Sequence, residues 1–450
     1  MIPGMLRSTL VALFVLLVAA APAGAKTRTL TLRYGPVGMG GYNVEFPKAP
    51  VRAPKLDGYV THMTASLVDR RGRAITIRDV MLHHFVIHRN GQRPELGPCT
   101  SRRGEAIYGT GEEQEDLRLP GGYGYRVRTA DKWRITAMLM SHSERSIDAY
   151  IRYKVTVVTG RTMKSVEPFW VRANGCGPQV SYPVVGGGGP GSSNHRSYDW
   201  KVPFNGRIVA VGGHLHGGAQ DMWMSQPRCE NRRILDNSPH FGMPDHLYYT
   251  ARPVLHEPGP FDTRYFMSRQ GIPVRKGERI RLNATYDNSA PHPRVMAISH
   301  VYVARDATIP KGCTALPADA VHITKPGPFR AAPPAVSVPL NRTTSGGRTE
   351  TFTLDPADAK RVKSGSTVDL RDNVFRPSHI SLRAGGSLRW RFADAIPHNV
   401  LFASGPRLVG SPTLSDGKTY TTRFRAPGHY ELFCYLHPMT MHQTVEVTPE

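Results

Sequence analysis

Four side chains near the end of the chain have the types and spacing to hold a redox metal. Cys434, His437 and Met441 lie within Phe433-Cys-Tyr-Leu-His-Pro-Met-Thr-Met441, and His398 lies upstream in Asp394-Ala-Ile-Pro-His-Asn-Val400. One thiolate, two imidazoles and a thioether make the ligand set of a blue, type 1 copper centre. Counting back from the strand that follows favours Met441 as the weak axial ligand, with Met439 as the alternative. A site filled by four side chains suits electron transfer and leaves no room for a substrate.

Further histidines recur upstream in a pattern. Met81-Leu-His83-His84-Phe85 comes first, then Met138-Leu-Met-Ser-His142, then Gly213-His214-Leu-His216-Gly-Gly218, and finally Met296. Imidazole suits copper and a thioether favours Cu(I). Residues two apart on a strand share a face, so His214 and His216 can grip one ion. His83 and His84 are adjacent and point to opposite faces, so both reach one metal only at a bulge, twist or strand end. His88 shares the face of His84 and is read as a bystander, with substitution for a ligand left open. The chain carries no Ser/His/Asp or nucleophilic-cysteine pattern.

The elements that must position these groups are strands. Val60–Val68, Ala149–Val158 and Arg279–Tyr286 alternate or are β-branched, and 44 Gly and 38 Pro supply the turns between such segments. No helix of three turns is expected, and the class is all-β, built of sandwiches or jelly rolls. A Gly-rich joint at 185–193 and a polar, Pro-rich stretch divide the chain into domains at 27–185, 192–322 and 360–450, with a linker at 323–359. Residues 1–25 read as a secretory signal peptide: Arg7, an apolar run from Leu10 to Ala21, and Ala23-Gly-Ala25. No later stretch is apolar enough to span a bilayer, so a soluble, secreted or periplasmic protein is expected.

With Cys434 assigned to a metal, four of the five cysteines form an even set for an oxidising compartment. The domain boundaries pair Cys99 with Cys176 and Cys229 with Cys313, other pairings staying open. The formal charge of +23 is spread along the chain. The bland reading of a solvated basic surface is favoured, an attraction to acidic polymers or an acidic cell-envelope surface is the other, and no nucleic-acid-binding motif is present.

Asp369–Val447 resembles the cupredoxins, in the manner of plastocyanin, pseudoazurin and amicyanin. The resemblance rests on His-Asn-Val at 398–400 and on the strand Gly428–Phe433 running into the ligand loop. The order His-His, His, His-x-His, Met resembles the core of the ascorbate-dependent copper monooxygenases, the family of peptidylglycine alpha-hydroxylating monooxygenase and dopamine beta-monooxygenase. That resemblance implies a relay copper on His83, His84 and His142. It also implies a catalytic copper on His214, His216 and Met296, each type 2-like and each in its own sandwich. It further implies C–H hydroxylation of an unknown small molecule or peptide, fed by an external electron donor through the type 1 centre. A non-catalytic copper-handling or electron-transfer protein of the cell envelope is the alternative.

Overall fold

The computed structural model describes residues 24–91, 99, 104–177, 179–330, 338–344, 348–354, 359–407 and 410–449. The expected signal peptide lies outside the described residues, apart from Gly24 and Ala25. The expected all-β class holds: the described residues form strands, with one short α-helical turn at Leu247–Thr250 and a 3-10 turn at Pro227–Cys229. Among them no helix is long and apolar enough to cross a membrane.

Alternation builds the first core. In the strand Ile147–Thr159, Ala149, Ile151, Tyr153, Val155 and Val157 are fully buried while the residues between them face outward. That strand pairs antiparallel with Lys26–Met39 on one side and Gly58–Val68 on the other. A second sheet, ordered Val44–Glu45, Trp133–Ser141, Val80–Arg89, Glu105–Gly111, closes the sandwich. Each fully buried Val or Ile of this kind contributes about 2 kcal/mol.

The strand Lys164–Arg172 passes from this core to the next. Val166 packs in the first, whereas Phe169 and Val171 pack in the second. It pairs along its length with Ala297–Arg305, from Val166 opposite Ala304 to Arg172 opposite Ile298. One sheet therefore runs from Lys26–Met39 through both front units to Val321–Ile323. The disulfides Cys99–Cys176 and Cys229–Cys313 are both formed.

The C-terminal unit is a sandwich of a five-stranded and a four-stranded sheet. Its core, around Trp390, Phe392, Leu432 and Val445, takes in Met81, Met138, Met140 and Leu255 from the front units, so the three units are docked. Within the expected linker, Leu340 is buried in that same core and Asn341–Thr343 pairs with Thr349–Thr351.

Candidate metal centres

The strand Leu401–Ser404 pairs with Gly428–Phe433, Leu401 opposite Phe433, which brings His398 and Cys434 to the same end of the sheet. Two turns then shape the ligand loop. The His437 N–H donates to the Cys434 carbonyl (3.0 Å), the Met441 N–H to the His437 carbonyl (3.0 Å), and the Cys434 N–H to the Met441 carbonyl (3.0 Å). Asn399 ties the two loops together. Its backbone N–H points at Cys434 Sγ (3.4 Å), its Oδ1 accepts the Tyr435 N–H (2.8 Å), and its Nδ2 donates to Thr413 Oγ1 (3.2 Å).

Three donor atoms converge here. Nδ1 of His398 and Nδ1 of His437 lie 3.2 Å apart, and His437 Nδ1 lies 3.6 Å from Cys434 Sγ. Nε2 of His398 lies 3.1 Å from Asp394 Oδ1 without hydrogen-bond geometry, and Nδ1 faces inward to His437. Burial, with His398 beside it, lowers the pKa of His437 to about 4, so its ring is neutral. Burial raises the Cys434 thiol to about 11, and a bound cation reverses that by holding the thiolate. Met441 is fully buried and Met439 nearly so. This donor set fits copper.

The front histidines also meet. The register of Val80–Arg89 against Trp133–Ser141 slips between Leu82 and His84, so His83 occupies a β-bulge, the irregularity that two adjacent ligands require. The His83 ring stands 5.8 Å from that of His84 and 5.7 Å from that of His216. The sets expected in two separate sandwiches thus converge on one cluster. His214 Nε2 and His216 Nε2 are 3.2 Å apart. Met296 follows the strand His292–Val295 and lines the same cavity as His83, His84 and His216. His142 sits at the edge, its ring 6.2 Å from that of His256. His88 points elsewhere, its Nε2 3.1 Å from Thr136 Oγ1.

Three glutamates that the sequence reading passed over organise the cluster. Glu112, Glu113 and Glu115 are buried on one loop, and each meets histidine: Glu112 meets His83 and His256, Glu113 meets His214, and Glu115 meets His300. Burial opposes a charge on His214, but the charge and hydrogen bond of Glu113, 3.0 Å away, outweigh it and raise its proton affinity. Nδ1 of His214 is thereby held by the carboxylate and Nε2 is turned to His216, the arrangement that orients metal-bound imidazoles. Burial, followed by the neighbouring histidines, holds His83 and His216 well below the usual imidazole range, and His142 falls to about 3.

Two signals were present in the sequence. One is the acidic run Gly111-Glu-Glu-Gln-Glu-Asp116 in a basic chain. The other is Gly212, where a Cβ would come within 1.9 Å of Glu115 Oε1. Only glycine lets the acidic loop approach the His214 strand so closely.

Both centres face one cavity of about 1080 Å³, lined by His83, His84, His216, His256, Tyr435 and His437 among others. Residues 362–448 match the family model for copper binding proteins of the plastocyanin/azurin family. Amicyanin-alpha of Methylorubrum extorquens is 38% identical over 79 residues, 17% of this chain and 66% of the relative. Plastocyanin of Tetradesmus obliquus is 33% identical over 90 residues, covering 18% and 61%. The chain thus spans less than two thirds of the length of each. A solved structure of the reduced state of an amicyanin mutant is 27% identical and covers 19% of this chain and 82% of that one, with a TM-score of 0.17. Residues 362–448 are a copper-binding cupredoxin domain of the plastocyanin/azurin family.

Proposed function

We propose that the chain is an exported copper oxidoreductase whose cupredoxin domain passes electrons to a second metal centre in the front histidine cluster, for hydroxylation of a C–H bond by dioxygen. The observation that carries this reading is Tyr435. It is bonded to Cys434, and its ring meets that of His83 at 6.3 Å. It therefore joins the two centres by covalent bonds and one aromatic contact.

In this reading His398, Cys434, His437 and Met441 hold type 1 copper, while His214, His216 and Met296 hold the catalytic ion. Bound metal supplies one-electron redox chemistry and an open position for dioxygen. The protein's own part is positional. Glu113 fixes the His214 ring. Met81, Met138 and Leu255 pack into the cupredoxin core and so hold the two centres at a fixed separation. The cavity receives a small-molecule or peptide substrate. Each turnover takes two electrons and two protons, placing one oxygen atom in the product and releasing the other as water. An external reductant supplies the electrons. Two disulfides support an oxidising, extracytoplasmic location, and the positive charge supports an acidic envelope surface as neighbour.

The test is dioxygen uptake by the reduced, copper-loaded protein in the presence of candidate substrates. Uptake coupled to a hydroxylated product supports the reading. Transfer of copper to an acceptor without uptake supports a copper-handling role, which the concentration of imidazoles around one cavity favours as the second reading.

A further inference from the structure

We propose that His83, Glu112 and His256 together hold one divalent first-row transition-metal ion on the floor of the cavity. The site rests on the reading of a second metal centre given above, and it replaces the His83, His84, His142 set with a mixed nitrogen and oxygen set.

The three residues come from three places: the bulge of Val80–Arg89, the loop after Glu105–Gly111, and the segment after Pro253. One ligand atom from each lies within 4.8 Å of the others. Both rings present Nε2 to the same carboxylate oxygen: His256 at 2.9 Å and His83 at 3.4 Å from Glu112 Oε1. Nδ1 of each ring is buried without a hydrogen-bond partner, so each spends its polar contact on that one point. The carboxylate is itself fixed. Its Oε2 accepts the Gly259 N–H at 2.8 Å, and the Glu112 carbonyl accepts the Tyr248 hydroxyl. His83 and Glu112 are each more than nine-tenths buried. A buried carboxylate must be paired or bind a cation, and the convergence of two imidazole nitrogens on one of its oxygens is the arrangement a cation would complete.

Two imidazoles and one carboxylate leave coordination positions open. His83 and His256 both border the cavity that His84 and His216 also line. The oxygen donor is harder than the thiolate and thioether of the cupredoxin site, so the ion is favoured in its divalent state. His83 is also the ring that Tyr435 meets, which places this ion, ahead of the His214 and His216 pair, at the receiving end of the path.

The test uses the full chain loaded with Cu(II) and, in a separate anaerobic arm, Fe(II), with metal per chain measured by elemental analysis. Glu112→Gln and His256→Ala are expected each to lose about one ion per chain while the blue absorption from Cys434 is kept, since removing one of three ligands typically costs tenfold or more in affinity. Wild-type metal content in both variants overturns the proposal. Should the variants fail to fold, the His398→Ala, Cys434→Ala chain, with the cupredoxin site dismantled, decides: electron paramagnetic resonance of its bound Cu(II) must include a signal with two imidazole nitrogens and oxygen donors. Its absence also overturns the proposal. Dioxygen uptake is scored separately, so a metal site without uptake refutes the hydroxylase reading and leaves this one standing.

Discussion

Tyr435 meets His83 edge-on, with ring centroids 6.3 Å apart and planes at 71°. The tyrosine hydroxyl reaches Met138 Sδ (3.5 Å), and the Arg294 guanidinium lies 5.6 Å from the ring centroid. The residue after the copper cysteine is thus packed from the front units, although it belongs to the back one.

Replacing that ring is expected to slow the electron. Tyr435→Ala should reduce the rate at which the blue absorption is discharged into the front centre by at least about tenfold, equivalent to roughly 1.4 kcal/mol of barrier. Tyr435→Phe keeps the ring and should change the rate little. Stopped-flow spectroscopy reads both, and equal rates in Tyr435→Ala and wild type would remove Tyr435 from the path.

Asn399, next to His398, is fully buried and bonds both Tyr435, next to Cys434, and Thr413. Asn399→Ala leaves the Tyr435 N–H without its acceptor and is expected to cost about 2 kcal/mol. It should also shift the visible band, because the Cys434 sulfur sits against the Asn399 backbone. Thermal melting and absorption spectra check the two effects independently.

His292 and Glu257 give the cavity rim a pH dependence. Burial disfavours a charged His292, yet the hydrogen bonds and charge of Glu257, 2.8 Å away, raise its pKa above the usual imidazole value. The raised value means the stabilisation is complete below the unfolded pKa and is lost as pH climbs through the folded one. Glu257→Gln should therefore melt earlier than wild type near pH 6, by about 1 kcal/mol, with the gap closing towards about pH 9. A gap that widens at high pH would contradict this.

Cys229–Cys313 closes a loop with a sequence separation of 84. Cys229→Ser with Cys313→Ser is expected to lose about 4 kcal/mol in denaturant unfolding, since an open loop of that length regains its chain entropy. The blue centre, in a different unit, should keep its absorption in the folded variant.

The strand class and the cupredoxin loop were legible because each depends on residues close in sequence or on a fixed order of ligand types, and the cysteine partners, 77 and 84 residues apart, followed from the expected domain boundaries. The meeting of His83 with His216 was not legible. Spacing reports which face of its own strand a side chain takes, whereas this contact depends on how two sandwiches share the sheet that Lys164–Arg172 crosses. The bulge at His83 was required by the chemistry but carries no glycine to mark it. Glu112, Glu113 and Glu115 have the composition of a solvated turn, and the close approach of Glu115 depends on Gly212 of the opposing strand.

The strand shared by both front cores makes those units one girder. Prising them apart would break the ladder between Val166 and Arg172 and its partners from Ile298 to Ala304, so no jaw opens between the halves of the imidazole cluster. Met81, Met138 and Leu255, of which Met138 lines the cavity, form instead the latch between the front units and the cupredoxin domain. Undoing that latch would admit a large guest and, by the same movement, carry Tyr435 away from His83 and interrupt the current.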